Sequence, residues 1–191
     1  MSMLSKVWRA MLANPFRLLP VSFAVMIGLG TLLLLLPQAT VAGRKTTVLD
    51  ALFTATSAVC VTGLSVVDTA THWTGFGQGM ILLLIQIGGL GIVTVVSIGI
   101  VLLADRIGLS HTRILAADMR VDSYSNVPRL VRNIVLTTVA FEAVFALVLA
   151  ARFFFAHDYE FQTAAVHGVF HSISAWNNAG FALYTDNFMG F

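Results

Sequence analysis

One loop pattern occurs twice in this chain at a fixed spacing, as FTATSAVCVTGL and again as FHSISAWNNAGF. A shift of 117 residues places Thr46 on Thr163, Phe53 on Phe170, Ser57 on Ser174, Ala58 on Ala175 and Gly63 on Gly180, without a gap. Leu64 falls on Phe181 in the same register, and the apolar run 18–36 falls on 135–153. A duplication of this kind predicts two like structural units, so the loop is expected to do its work twice.

Composition sets the solvent in which those units fold. With 58% hydrophobic and 10% charged residues and a mean hydropathy of +0.88, the chain cannot cover itself in water. Soluble domains carry about 25% charged residues. A bilayer is therefore the expected partner, and a net charge of +2 gives no basic surface for nucleic acid. Cys60 is the single cysteine, which excludes an internal disulfide, a CxxC pair and a four-cysteine zinc site.

Three runs, about 18–36, 80–104 and 134–155, are long and apolar enough to cross a membrane. The first follows Lys6, Arg9 and Arg17 and is too long for the core of a cleaved signal, so it reads as a retained helix. Two shorter runs, about 48–58 and 164–175, reach only part of the way across and read as half-helices. Lys6, Arg9 and Arg17 share one side with Arg106, Arg113, Arg120, Arg129 and Arg132 if two spans and one re-entrant loop separate them. The excess of positive charge places the N-terminus and the linker in the cytoplasm. The expected organisation is a tail at 1–17, a span–half-helix–span repeat at 18–104, a basic linker at 105–132, and a second repeat at 133–191 that lacks its last span. The fold class is thus an all-α membrane protein with about one and a half repeats.

Non-helical backbone cannot face lipid, because each unpaired polar group there costs several kcal/mol. Residues 59–64 and 176–181 can lie at membrane depth only when buried in protein or lining a wet cavity. A half-helix entering from outside aims its partly negative C-terminal end at the membrane centre. Carbonyls of the following loop can then replace the water of a permeating cation. An ordinary turn between packed helices is the alternative for either loop alone; the recurrence disfavours it.

Other residues carry weaker signals. Asp68, five residues beyond Gly63, is either a cation-attracting charge at the mouth or a plain loop carboxylate. Asp50 suits a helix start. Glu142 lies inside a span, where a bundle hydrogen bond or ion pair is favoured over a role in conduction. His167 and His171 have helical metal-ligand spacing but no third ligand, and the polar face of a half-helix accounts for them better. Gly88, Gly89 and Gly91 suit close helix packing, Gln86 a hydrogen bond within the bundle, and Asn177 and Asn178 either bracing of the second loop, which is favoured, or contact with the ion. No nucleophile–base pair suggests an enzyme.

The stretches DALFTATSAVCVTGLSVVDT and FGQGMILLLIQIGGLGIVT, with HSISAWNNAGF, resemble the Trk/Ktr/HKT potassium-transporter superfamily, nearest the Ktr-type membrane subunit. The resemblance implies four span–pore–span repeats around one pore and potassium uptake, often sodium-linked, in the plasma (inner) membrane. It implies a homodimer regulated by a cytosolic nucleotide-binding ring, so that a nucleotide would act only through that partner, with no cofactor in this chain. Position by position, it makes Val59, Cys60, Val61, Thr62 and Gly63 the first filter, and Trp176, Asn177, Asn178, Ala179 and Gly180 the second. Glycine at 63 resembles the potassium-selective pattern. With two of four repeats absent, the chain is expected to be an N-terminal part of such a protein. Its alternatives are a two-span channel-like subunit and a nonconducting interaction fragment.

Overall fold

The computed structural model describes residues 15–107, 127–156 and 158–185. Most of the basic linker, and the arginines at 113 and 120 within it, lie outside them. Among the described residues the elements are helical: α1 Pro15–Leu34, α2 Val48–Val59, α3 Thr69–His72, α4 Gly75–Ile107, α5 Val127–Ala156 and α6 Phe161–Trp176. Among the described residues, the one strand-like feature is an isolated bridge between Thr40 and Trp73.

Element bounds follow local chemistry more than hydropathy. α4 starts at Gly75, before the apolar run begins, because Thr74 caps it: the Gly77 amide donates to Thr74 Oγ1 at 3.2 Å. The same hydroxyl donates to the Gln38 carbonyl at 2.6 Å, tying the helix start to the segment after α1. α2 opens on a capping box. The Asp50 amide donates to Thr47 Oγ1 at 3.1 Å, and Asp50 Oδ2 accepts from the Thr47 amide at 3.0 Å. The Thr47 hydroxyl also donates to Asp50 Oδ2 at 2.7 Å, and this bond, followed by that from the Thr47 amide, holds the exposed Asp50 carboxyl below its usual pKa. α5 tolerates Pro128 because it falls in the first turn, where no helical partner is lost.

At 1.5 Å per residue, α2 is about 18 Å long and α6 about 24 Å, both short of a hydrocarbon core of about 30 Å. Among the described residues, Arg129–Ala156 is long and apolar enough to cross a membrane by length and composition alone.

The described parts of Met1–Gly88 and Ile173–Phe191 form one compact unit, and those of Gly89–Ser172 another. In the first, small residues let helices close on one another. A Cβ built on Gly30 would lie 2.7 Å from Leu84 Cδ1 and 3.3 Å from Ala55 Cβ, so α1, α2 and α4 meet there. Leu34, Ala51, Ala55, Ala58, Ile81 and Ile85 are fully buried around this contact. Beyond it, Thr40 Oγ1, Thr46 Oγ1 and His72 Nε2 form a chain of hydrogen bonds at 2.5 and 2.9 Å. Burial and the nearby Arg44 charge lower the His72 pKa against the opposing pull of Asp50.

In the second unit α6 lies on α5 through Gly168, whose Cβ would stand 2.6 Å from the Ala146 carbonyl oxygen and 2.8 Å from Ala150 Cβ. Ser172 Oγ donates to the Glu142 carbonyl at 2.7 Å. Phe153 stacks on Tyr159 and meets His167 and His171 edge to face. Between the exposed Arg132 and Arg152, α5 carries exposed apolar residues, with Leu136, Val139, Val144, Leu147 and Val148 all more than half exposed.

Candidate functional site

The two duplicated loops have the same backbone. After α2, the amides of Cys60, Val61 and Thr62 donate to the carbonyls of Thr56, Ala58 and Ser57 at 2.9, 3.2 and 2.9 Å. After α6, those of Asn177, Asn178 and Ala179 donate to Ile173, Ala175 and Ser174 at 3.1, 3.0 and 2.7 Å. Each donor and each acceptor is its counterpart shifted by 117 residues. Left-handed backbone recurs in the same register, at Val61 (φ 56°) and Asn178 (φ 58°), then at Gly63 (φ 71°) and Gly180 (φ 74°). Asparagine tolerates that region, whereas a β-branched valine is an outlier there. Such strain costs on the order of 1–3 kcal/mol and persists only where the surroundings enforce it.

Spent amides leave available carbonyls. Among the described residues, no hydrogen bond reaches the main-chain carbonyls of Cys60, Val61, Thr62 and Gly63, nor those of Asn178, Ala179 and Gly180. Each group follows a helix C-terminus, where the macrodipole adds about half a negative charge. A pair of such segments offers oxygen and negative potential without a carboxylate.

The loops meet at their glycines. A Cβ on Gly63 would collide with the Ala179 carbonyl oxygen and stand 3.0 Å from Gly180 Cα, while one on Gly180 would stand 3.3 Å from Gly63 Cα. A pocket of about 70 Å³ opens beside them, lined by Gly63, Ser65, Asp68, Gly180, Phe181 and Tyr184 among others. Asp68 also caps α3, accepting from the Ala70 amide at 2.8 Å. Burial raises its pKa, but bonds from Thr185, Ala70 and Thr71 outweigh this and leave it lowered, so the carboxylate is ionised at neutral pH. Thr185 is the residue 117 positions after Asp68, so the contact joins register equivalents.

α4 touches both loops. Gly88 faces the Val59 carbonyl so closely that a Cβ there would overlap it. Two residues earlier, Gln86 Oε1 accepts from Asn177 Nδ2 at 3.1 Å, and the same nitrogen donates to the Ile173 carbonyl at 2.9 Å. Asn178 is exposed and makes no such brace among the described residues. Ser174 Oγ donates to the Phe181 carbonyl at 2.6 Å, while its equivalent Ser57 accepts from Thr62 Oγ1 at 3.0 Å.

The packing expected of the α4 glycines holds at Gly88 and not at Gly91, which has nothing within 4 Å of a built Cβ. Glu142 is 7% exposed and belongs to the second compact unit. The left-handed Val61 carried no signal of its own, since valine gives no hint of positive φ; its alignment with Asn178 was the available clue.

Thr54 was also missed. It is 1% exposed on α2, and its hydroxyl has no partner among the described residues. A buried unpaired hydroxyl costs about 1–3 kcal/mol, and valine has similar helix propensity. Thr54→Val should therefore stabilise the detergent-solubilised protein by about 1 kcal/mol, read as a higher Tm; a lower Tm would show that the hydroxyl is bonded in the membrane-derived protein.

The profile of the family described as "TrkH: Cation transport protein" matches residues 6–191. The chain is 39% identical over 178 residues to Ktr system potassium uptake protein B of Bacillus subtilis (strain 168), covering 93% of this chain and 39% of that protein. It is 39% identical over 175 residues to the protein of the same name from Vibrio alginolyticus, covering 92% of this chain and 38% of that one. It is 34% identical over 176 residues to the potassium/sodium uptake protein NtpJ of Enterococcus hirae, covering 92% and 39%. The chain spans about two fifths of the length of these curated relatives.

Proposed function

The chain belongs to the TrkH cation transport protein family, and we propose on that footing that it forms part of a potassium-uptake pore lined by main-chain carbonyls of Val59–Gly63 and Trp176–Gly180. The observation that carries this reading is the pair of loops with one hydrogen-bond ladder and one pattern of left-handed residues, meeting at Gly63 and Gly180. Three amides of each loop bond back to the helix behind it, while the carbonyls of Cys60–Gly63 and Asn178–Gly180 accept no hydrogen bond among the described residues, which suits a cation better than an anion. Asp68 adds a fixed negative charge beside the junction, and such charge raises local cation concentration.

The short α2 and α6 are re-entrant half-helices in this reading, and α1, α4 and α5 are spans, with the exposed stripe of α5 facing lipid. The N-terminus is cytoplasmic in a multi-pass protein of the plasma membrane. Potassium is cargo, with sodium as a second or coupled ion, in keeping with the name of the Enterococcus relative. The protein works as a homodimer under a cytosolic nucleotide-binding ring. A potassium-channel filter takes carbonyls from four sides, so two loops need two more, from further polypeptide or from another chain.

Expression in a bacterium lacking its own potassium uptake tests this. The full-length gene product is expected to restore growth at low potassium and rubidium uptake; residues 1–191 alone are expected to restore neither. Absence of uptake by abundant full-length protein would sink the transport reading, and rescue by 1–191 would sink the need for further loops.

A further inference from the structure

We infer that Gln86 is a positioning residue for the second loop, holding the carbonyls of Asn178–Gly180 in place through the side chain of Asn177. The inference rests on the pore reading and extends it to a residue outside the loops. Asn177 occupies the register position of Cys60, and the two main-chain amides do the same thing, donating back to Ile173 and Thr56. The difference lies in the side chains. The Cys60 thiol makes no hydrogen bond among the described residues. The Asn177 amide nitrogen has two hydrogens and two acceptors, one in its own helix and one 91 residues away on α4.

The orientation of that amide is determined. The Ile173 carbonyl can only accept, so the nitrogen of Asn177 must face it, and what lies across at Gln86 must then be an oxygen. The local bond to Ile173 would form wherever the loop stood. The bond to Gln86 ties the loop's side chain to a separate helix, in a half-buried site where a hydrogen bond is stronger than in water.

Gly88 lies half a turn further on, with the Val59 carbonyl against it. A single turn of α4 thus holds the first loop by backbone contact and the second by a side-chain amide. Because a helix is stiff, the spacing between the two sets of carbonyls is set by the distance between two positions on one rod. A cation filter discriminates by that spacing and by the number of oxygens it presents.

Rubidium uptake by the full-length protein, with sodium as competitor, tests the inference when membrane protein amount is measured in parallel. Gln86→Leu keeps the bulk and removes the acceptor, and should raise KM for potassium about threefold to tenfold at normal amount, the range for one lost hydrogen bond. Gln86→Glu keeps an acceptor and should recover most of that loss. In an Asn177→Leu background the Gln86→Leu effect should vanish, since Gln86 acts through Asn177. A normal KM for Gln86→Leu, equal losses for Leu and Glu, or additive effects in the double variant would each overturn the inference. Should Gln86→Leu fail to accumulate, Gln86→Asn, which withdraws the amide by one methylene, decides the matter by the same KM criterion. Gly63→Ser in the same assay separates the two levels. If it alters selectivity while Gln86→Leu does not, only the positioning role falls; if both leave selectivity untouched, the filter reading falls with it.

Discussion

Substitution Gly63→Ser is expected to cut the preference for potassium over sodium by about tenfold or more, a change of about 1.4 kcal/mol between the two ions. Two effects act together at this position. The backbone is left-handed (φ 71°), which costs a residue with a side chain about 1–2 kcal/mol. A Cβ would also run into the carbonyl oxygen of Ala179, which is backbone and cannot swing aside as a side chain end would. Relief requires the second loop to move, and with it the carbonyl oxygens that we propose form the filter. Gly180 has nearly the same φ, but its Cβ would meet only Gly63 Cα at 3.3 Å. Gly180→Ser should therefore disturb selectivity less than Gly63→Ser. Sodium inhibition of rubidium uptake compares them; equal effects would mean that backbone strain, not collision, governs this junction.

The second large effect is expected at Gly88. A Cβ there would overlap the carbonyl group and Cα of Val59, so α4 and the end of α2 must separate. Overpacking of this kind costs about 1–3 kcal/mol and sometimes more, against about 0.5–1 kcal/mol recovered from replacing a helical glycine with alanine. Gly88→Ala should be destabilising by about 1–2 kcal/mol net, and Gly88→Val by more. Gly79, on the same helix, has nothing within 4 Å of its Cβ. Gly79→Ala should have the opposite sign, a gain of about 0.5–1 kcal/mol. Thermal unfolding of the two alanine variants in detergent reads both; a shared sign would mean that α4 does not pack on Val59 in the protein as purified.

Much of the fold was legible in the sequence because hydropathy and capping leave local traces. The runs 48–58 and 164–175 became α2 and α6 within a few residues, and Thr47 with Asp50 marks the start of α2 in the letters themselves. The repeat register was equally visible, since Ser57, Gly63 and their partners align without a gap. Contacts between distant segments were not. Gln86 was readable only as a polar residue in an apolar run, because nothing local says that an amide 91 residues on will reach it. The unequal crowding of Gly63 and Gly180 was hidden for the same reason: identical letters in identical loops meet different neighbours. Val61 was hidden by its own chemistry, a side chain that ordinarily argues against the backbone it adopts.

The ladder of amides folded back onto α2 and α6 uses acceptors no further than five residues away. Each loop therefore takes its hydrogen-bond pattern from its own helix, while contacts with α4 and with the other loop hold it in place. Because those bonds are made by main-chain groups, side-chain identity is left free where the backbone path does not depend on it. VCVTG and WNNAG share one letter, yet they trace one curve. A duplicated segment can thus diverge at four of these five positions and keep one backbone path.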